Sequence, residues 1–370
     1  MRLGEYLSNL MGQPLFQFAK SVIARQPATS VLFVTNRCNL DCKMCFYTAR
    51  EQRHELTVEE VRRLAQSMPP QWYVMFTGGE PFIRSDLPEI VAAFYERGAA
   101  NLHISTNCTY HDRTVSGIRR IAAHARDARV IVVTSIDGPP DLHDRIREKP
   151  GVFQRTVDTV RTLLALKHAL PNLTVIATFT FSALNQDHWR ETIEYLRQDL
   201  KVDAVNIGLV RGKTKDNATK AYDIEKYRQA VDYLLRTNRR EYFPFPLGAF
   251  ARFKEAEQAE TIYRIAKQDP PPHYRCLAGR VFHVITETGD LYPCEMLDHR
   301  IGSLRDVNMD FMELVRSAQA KEIARFIDRR ECLCTYECAI GPSLAANPSM
   351  PGRFVKFLIQ KRGAEDACGT

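Results

Sequence analysis

Three cysteines, Cys38, Cys42 and Cys45, occur within eight residues at spacing C-x3-C-x2-C. They directly follow the apolar segment 30–34, so a strand would deliver three thiols into one short loop. Soft thiolate ligands suit iron–sulfur clusters, and a cubane cluster takes four cysteines when it is fully ligated. Three cysteines would therefore leave one iron open to an exogenous ligand. The alternative is a zinc site, but zinc sites usually bring C-x2-C pairs and four ligands, and the next cysteine, Cys108, is far downstream.

A second group of cysteines lies in the C-terminal part of the chain. Its members are Cys276, Cys294, Cys332, Cys334 and Cys338. Five thiols could hold a second cluster with four ligands and one to spare, and the sequence does not select the four. A zinc knot is the alternative. Clustered cysteines in a chain without a signal peptide indicate metal binding rather than disulfides. We expect the isolated Cys108 to be buried filler and Cys368 to lie in a fraying tail.

The segments around these cysteines predict an α/β architecture. Six segments are strand-like, namely 31–35, 72–77, 102–105, 130–136, 173–181 and 204–209. Five helical patterns separate them, at 57–67, 87–97, 113–125, 152–170 and 187–200. This alternation favours a parallel sheet with helices outside, either a curved partial barrel or a doubly wound sheet. Further helices are predicted at 224–238, 248–267 and 309–327, and a hairpin at 280–286 and 290–292.

Polar and glycine-rich residues follow four consecutive strands, at the point where each strand ends. Besides the cysteine loop, they are Gly78, Gly79, Glu80, Ser105, Asn107, Ser135 and Asp137. Since the carboxyl ends of parallel strands meet at one edge, these groups predict a concave site. The glycines would let the backbone approach a ligand, and the carbonyls of that turn with Glu80 could hold an ammonium group. The hydroxyl, amide and carboxylate groups suit a ribose or a zwitterion.

The composition is that of an ordinary globular chain with a mild basic bias. The 370 residues carry a formal net charge of +7, and the sequence pI is about 8.9. The bias fits an anionic substrate or surface, but no dense Lys/Arg run with interleaved aromatics indicates nucleic acid. No signal peptide and no apolar run of the ~18 residues needed to span a bilayer is present, so we expect a cytoplasmic protein. Residues 1–28 have the apolar spacing of an amphipathic helix packed on the main domain, with peripheral membrane contact as the alternative.

The cysteine groups and the glycine turn together resemble the radical S-adenosylmethionine (radical SAM) enzymes. The C-x3-C-x2-C spacing matches the cluster motif of that superfamily, and Gly78-Gly79-Glu80-Pro81 matches its methionine-amine motif after the second strand. The C-terminal unit is similar to the SPASM/Twitch extension, because the pattern from Cys276 through Gly289 to Cys294 fits its opening. The later cysteines are too few for two auxiliary clusters, so one auxiliary cluster, of [4Fe–4S] type, is the better match.

The resemblance implies a domain organisation. A radical SAM domain, built as a partial (β/α)6 TIM-like barrel, would occupy residues 29–212, after the helical segment 1–28. A helical connector at 213–272 would lead to an auxiliary-cluster domain at 273–345 and a tail at 346–370.

The resemblance also implies cofactors and their contacts. The first three cysteines would bind a [4Fe–4S] cluster whose open iron is chelated by S-adenosylmethionine. The glycine turn would meet the methionine amine, and the polar residues after the third and fourth strands would line the ribose and carboxylate side. Because Met44 stands where an aromatic residue is usual, Phe46 or Tyr47 would pack beside the adenine. Arg147 would pair with the carboxylate or be an ordinary surface arginine. Leu209 would pack on the adenine or belong to the core.

The implied reaction is reductive cleavage of S-adenosylmethionine to a 5′-deoxyadenosyl radical, which abstracts a hydrogen atom from an unactivated C–H bond. The substrate would be a small molecule or a lipid precursor, the auxiliary cluster would assist oxidation or electron transfer, and a flavodoxin or ferredoxin would supply electrons. Maturation of a ribosomally made peptide is the alternative, although residues 1–28 are too short for the winged-helix domain that many such enzymes carry. A non-catalytic iron–sulfur carrier or zinc scaffold would leave the glycine turn unexplained. Polar candidates near the expected mouth, without a ranking, are Thr178, Thr180, Asn206, Arg211 and Glu295.

Overall fold

The computed structural model describes residues 26–47, 54–237 and 247–368, from 360 on by the backbone alone. Almost all of the helix expected at 1–28 lies outside these residues, so that prediction is untested. Six strands form the first part of the fold: β1 (Thr29–Thr35), β2 (Tyr73–Gly78), β3 (Asn101–Thr106), β4 (Arg129–Ser135), β5 (Leu173–Phe181) and β6 (Ala204–Leu209). All six were predicted, to within two residues at each end.

The six strands are parallel and stand in sequence order in the sheet, from β6 through β5, β4, β3 and β2 to β1. A doubly wound sheet would reverse its strand order at a switch point, and this sheet does not. The connections between the parallel strands share one handedness, and each leads to the next strand in the same direction along the sheet. The helices of such connections all lie on one face of the sheet. The result is an open, partial TIM-like barrel whose strand ends meet at one rim.

Helices connect the strands and continue beyond them. They are α1 (Val58–Ser67), α2 (Leu87–Tyr95), α3 (His111–His124), α4 (Pro140–Arg147), α5 (Val152–Leu166), α6 (Trp189–Glu194), α7 (Ile224–Thr237) and α8 (Leu247–Ala266). The start of α1 shows how the sequence sets a boundary. The Thr57 hydroxyl accepts from Glu60 N at 3.2 Å, and Glu60 Oε2 accepts from Thr57 N at 2.8 Å, which completes a capping box.

Strand β5 shows how the sheet separates the core beneath the helices from the inside of the barrel. Its residues Val175, Ala177 and Phe179 are fully buried under the helices, whereas the alternate positions Ile176 and Thr178 are half-buried on the inner face. This period of two is the pleat of a strand that is covered on one side by a helical layer and faces the barrel interior on the other.

The C-terminal unit is joined to the barrel through its sheet. Strand β7 (Phe282–Ile285) pairs in parallel with β1, and β8 (Asp290–Tyr292) and β9 (Gly302–Ser303) follow in antiparallel order. The hairpin predicted at 280–286 and 290–292 is therefore present with a shorter first strand. The C-terminal helices are α9 (Phe311–Arg316), α10 (Ala318–Asp328), α11 (Glu337–Ala345) and α12 (Met350–Cys368).

At three places the helices of the structure differ from the elements expected from the sequence. The helix expected at 309–327 is two helices, because Ser317 takes an extended conformation and its hydroxyl caps α10 by accepting from Ala320 N. The region expected as a fraying tail, which holds Cys368, contains α12. Helix α4 was not predicted. No helix in the described residues is long and apolar enough to cross a membrane.

Candidate functional site

The cysteine loop between β1 and α1 is held against the start of α5. Cys42 is 9% exposed and packs with Leu40 and Val152, while Cys38 and Cys45 lie half-buried beside them. The amide of Cys45 donates to the carbonyl of Cys42 at 3.1 Å, which closes a tight turn between these two cysteines. Burial raises the pKa of Cys38 to about 11. A thiolate there is costly without a positive partner, which is what an iron cluster supplies.

The Gly78-Gly79 turn lies against the backbone that leads into this loop. Gly79 N donates to Thr35 O and Glu80 N donates to Arg37 O, both at 2.8 Å. A Cβ on Gly78 would lie 2.1 Å from Thr35 O, and one on Gly79 would lie 2.0 Å from Arg37 O. We expected these two glycines to let the backbone approach a ligand. In the structure they let it approach another segment of the same chain, at the carbonyls of Thr35 and Arg37.

Glu80 is buried and its carboxylate is used within the fold. Oε1 accepts from Phe82 N at 3.1 Å and from the Thr106 hydroxyl at 2.8 Å, and Oε2 accepts from Asn107 N at 2.7 Å. Burial raises the pKa of Glu80 to about 7, against the opposing effect of these three donors. Glu80 thus ties the exit of β2 to the exit of β3, and it is a positioning group for the turn.

The polar residues after β3 form a small network that reaches the cysteine loop. Asn107 Nδ2 donates to Asn39 Oδ1 at 2.9 Å, and Asn39 Nδ2 donates to the Thr109 hydroxyl at 2.8 Å. The Ser105 hydroxyl lies 2.8 Å from His103 Nε2, and His103 Nδ1 lies 2.5 Å from the Tyr73 hydroxyl. Burial lowers the pKa of His103 to about 3, so this histidine is neutral. Ser105 thus lies at the carboxyl end of β3, and Asn107 directly follows that strand.

After β4, Asp137 and Arg147 form a buried ion pair. Arg147 donates to Asp137 Oδ2 from Nε at 2.8 Å and from Nη2, while Thr180 N donates to Oδ1 at 3.0 Å. The third guanidinium nitrogen, Nη1, lies 3.5 Å from Cys42 Sγ. The two-pronged contact expected between Arg147 and an external carboxylate is thus made to Asp137. Burial opposes the charge of Arg147, but Asp137 and Cys42 raise its pKa above the ordinary value.

The remaining residues expected at the first site are split between the rim and the core. Phe46 lies half-buried beside Arg211, whose guanidinium carbon is 5.4 Å from the ring centroid. Ser135 is half-buried and pairs in register with Thr178 across β4 and β5. Leu209 is fully buried in the main core, which agrees with the second of the two roles considered for it.

Four of the five C-terminal thiols line one cavity. Its walls are Tyr274, Cys276, Ala278, Cys294, Leu297, Ile327, Cys332, Leu333, Cys334 and Ala339. Burial raises the pKa values of Cys276 and Cys294, the latter to about 12. Four soft donors in an apolar setting fit an iron–sulfur or zinc group. In the described residues no three His, Cys, Asp or Glu groups converge on a single ion.

Cys338 is set apart from this cavity. It stands on the first turn of α11, with Arg211, Glu295 and Glu337 as charged neighbours. Burial raises its pKa to about 12. The structure therefore separates one thiol from the other four, a distinction that spacing did not provide.

Arg211 connects the barrel rim to the C-terminal unit. Its Nη1 donates to Glu337 Oε2 at 2.8 Å, and its guanidinium carbon is 4.7 Å from the centroid of Tyr336. Glu337 also accepts from Leu209 N at 3.0 Å, and a Cβ on Gly208 would lie 2.8 Å from its Oε1. Tyr336 and Glu337 were not among the sequence candidates. Their nearness to Cys334 and Cys338 is the signal that could have found them.

Residues 32–196 match the radical SAM superfamily. These residues therefore carry a radical SAM domain. It is 27% identical over 309 residues to the AdoMet-dependent heme synthase of Oleidesulfovibrio alaskensis, covering 77% of this chain and 74% of that protein. It is 24% identical to the sporulation killing factor maturation protein SkfB of Bacillus subtilis, covering 94% of this chain and 77% of that one.

The radical SAM fold is also seen in solved structures. Streptococcus suis SuiB bound to S-adenosylmethionine superposes with a TM-score of 0.60 at 16% identity, over 90% of this chain and 77% of that chain. This likeness confirms the partial barrel. The cofactors of this radical SAM protein are a [4Fe–4S] cluster and S-adenosylmethionine, and the three thiols of the cysteine loop are a donor set that fits the cluster.

Proposed function

We propose that this protein is a radical SAM enzyme that abstracts a hydrogen atom from a substrate held at the barrel rim. The loop of Cys38, Cys42 and Cys45 would hold the cluster through three thiolates and leave one iron for S-adenosylmethionine. When bound, this pair of cofactors supplies the radical chemistry. The residues of the chain hold the pair, orient it and exclude water.

One observation carries this proposal: the cysteine loop and the Gly78–Glu80 turn are built as one unit. The turn hydrogen-bonds to Thr35 and Arg37, the residues that precede Cys38. Glu80 ties the turn to β3, and Arg147 Nη1 lies 3.5 Å from Cys42 Sγ. A loop with three thiols and a glycine turn fixed beside it supports simultaneous binding of a cluster and its organic ligand. An electron carrier would need only the thiols.

We further propose that Cys276, Cys294, Cys332 and Cys334 hold the auxiliary cluster and that Cys338 does not. Their shared cavity supports this choice, as does the position of Cys338 beside Arg211 and Glu295. A cluster with four cysteine ligands has no open iron, so its role would be to accept or relay an electron after hydrogen abstraction. That role favours a net oxidation of the substrate.

The relatives name two classes of substrate. Heme synthases act on a small molecule, and a small-molecule or lipid-precursor substrate is the first proposal. Peptide maturation is the second, and it is favoured by the alignment with SkfB over 94% of this chain.

The experiment is an anaerobic assay for 5′-deoxyadenosine. The protein is reconstituted with iron and sulfide, reduced with dithionite and mixed with S-adenosylmethionine. Wild type should release 5′-deoxyadenosine slowly, and the triple variant Cys38→Ala/Cys42→Ala/Cys45→Ala should release none. Cys108→Ala removes a buried thiol that belongs to neither set and is the matched control. If wild type holds its iron and never cleaves S-adenosylmethionine, the proposal fails.

A further inference from the structure

The four-thiol cavity of the C-terminal unit has a wall at the surface of the molecule. Leu333 forms part of this wall and is 45% exposed, and Cys332 and Cys334 on either side of it are half-buried. Other walls of the cavity are closed, since Ala278 and Cys294 are 1% and 5% exposed. The cavity therefore lies directly behind an exposed apolar side chain.

An exposed leucine by itself is common on protein surfaces and needs no explanation. Val355 and Ile359 are also exposed, and neither lines the cavity. Leu333 differs from them in its position, because it stands between two of the thiols that line the cavity. A partner that covers Leu333 comes within one side chain of that cavity.

Exposed arginines without carboxylate partners border this wall. Arg275 stands between the wall residues Tyr274 and Cys276. Arg330 Nη2 donates to Tyr274 O at 3.1 Å, and Arg325 is on the last turn of α10, which also contributes a wall residue. In the part of the chain that the structure describes, none of these three arginines forms an ion pair. Their charges are therefore available to a partner.

The acidic residues beside the wall are mostly engaged within the fold. Asp328 forms an ion pair with Arg280, and Glu331 forms one with Arg329. Asp298 is exposed next to a further wall residue and has no ion pair in the described residues. Three unpaired arginines against one unpaired carboxylate leave a positive rim around the exposed leucine. Such a surface attracts an acidic partner.

We propose that the surface around Leu333 docks an acidic one-electron carrier protein. This inference rests on the proposed function, since the carrier in its oxidised form would take up the electron that the proposed auxiliary cluster accepts. The carrier is reduced by one electron, and no bond forms or breaks. Electron transfer between proteins weakens steeply with distance, so the carrier must dock where the cavity lies close to the surface. Because complexes of this kind bury small areas, one exposed leucine with a charged rim is sufficient.

The test measures binding of a plant-type [2Fe–2S] ferredoxin, which is an acidic carrier, to the reconstituted protein. Both proteins are kept oxidised and anaerobic, and isothermal titration calorimetry at low ionic strength needs no S-adenosylmethionine and no turnover. Cytochrome c, a basic one-electron carrier, is the probe of opposite charge. We expect the ferredoxin to bind about tenfold more tightly than cytochrome c, and its affinity to fall as salt is added.

Two variants then assign the contact to this surface. Arg275→Glu/Arg325→Glu reverses two charges of the rim and should weaken ferredoxin binding about tenfold. Leu333→Ala removes the exposed side chain and should weaken it about threefold. Arg62→Glu/Arg161→Glu is the matched control, because these two arginines are 50% and 58% exposed on α1 and α5. Iron content and the far-ultraviolet circular dichroism spectrum show whether each variant is folded.

Four results would overturn the inference. Equal losses in the two double variants would show attraction by the net charge of the whole protein. Unchanged affinity in the folded rim variant or in Leu333→Ala would place the carrier elsewhere, and so would tighter binding of cytochrome c. A loss confined to Lys213→Glu, next to the contact of Gly212 with Phe46 of the cysteine loop, would assign the carrier to the first cluster.

The parallel assay for 5′-deoxyadenosine reports on the proposed function separately. A wild type that binds ferredoxin through this surface and never cleaves S-adenosylmethionine would overturn that function and leave the docking surface.

Discussion

Arg147 and Asp137 form an ion pair in which the guanidinium donates twice to one carboxylate oxygen, once from Nε at 2.8 Å. The same guanidinium places Nη1 3.5 Å from the sulfur of Cys42. Asp137 is fully buried and Arg147 is 12% exposed. The pair therefore holds a positive group beside a proposed cluster ligand, and its orientation depends on a carboxylate after β4.

Replacing Asp137 with asparagine should destabilise the protein, because the charge of Arg147 would remain buried without its partner. We expect the Asp137→Asn variant to lose about 3 kcal/mol of unfolding free energy, measured by urea denaturation. Asp187→Asn is the control, since its exposed ion pair with Lys226 is screened by solvent and should contribute little to the free energy of unfolding. Equal losses in the two variants would contradict the importance of the buried pair.

Gly79 should tolerate no side chain, because a Cβ would overlap the carbonyl of Arg37, two ångströms away. We expect Gly79→Ala to shift the segment that leads to Cys38 and to cost about 1–3 kcal/mol of stability. Iron bound per chain after reconstitution should fall as well. Gly352→Ala is the control, since nothing lies within 4 Å of its Cβ and α12 should gain up to about 1 kcal/mol. A Gly79→Ala protein with normal iron content would show that the turn can accept a methyl group without disturbing the cysteine loop.

Iron counting should separate Cys338 from the other C-terminal thiols. Single alanine variants of Cys276, Cys294, Cys332 and Cys334 should each lose about four irons per chain after anaerobic reconstitution, as expected for one [4Fe–4S] cluster. Cys338→Ala should keep the iron content of wild type, because its thiol lies outside the shared cavity. Loss of iron in Cys338→Ala, with retention in one of the other four, would reassign the ligands.

The contact between Glu60 and Arg305 should make the free energy of unfolding depend on pH in the acidic range. Arg305 donates to both carboxylate oxygens, at 2.8 Å and 3.2 Å, and these bonds lower the pKa of Glu60 to about 2. The stabilisation is complete above the unfolded-state pKa of about 4.3 and is lost as pH falls toward 2. We expect wild type to lose about 2 kcal/mol more than Glu60→Gln between pH 5 and pH 2, by urea denaturation.

Glu59→Gln is the matched control for this measurement. Glu59 lies on the same turn of α1, is 70% exposed and sits 3.8 Å from Arg62. That variant should keep the acid sensitivity of wild type. Identical pH profiles for wild type and Glu60→Gln would show that Arg305 does not hold the carboxylate in solution.

The strands and the first cysteine loop could be predicted because their determinants are contiguous in the sequence. β5 and β6 have the predicted bounds, since both are short segments rich in apolar and β-branched residues that favour strands. Helix α4 was missed because its sequence, PDLHDRIR, is short and polar. It buries only Leu142, His143 and Ile146. Tertiary packing, which a periodicity argument does not see, decides such a segment.

The second half of the site could not be predicted for a related reason. Arg211 and Glu337 are 126 residues apart in the chain, and no local pattern joins them. The spacing of the C-terminal cysteines in the sequence identified five candidate thiols. Only the fold shows which four of them share a cavity. The glycines at residues 78 and 79 indicate that another group approaches the backbone closely. The sequence does not show whether that group is a ligand or the chain itself.

The pairing of β7 with β1 has a consequence for any attempt to shorten this protein. Every residue of β1 is buried, and β7 covers the side of that strand opposite β2. A chain that stopped after the barrel would leave β1 as an open, apolar edge, and such edges recruit strands from other molecules. The C-terminal extension thus protects the enzyme against aggregation, whatever chemistry its thiols perform.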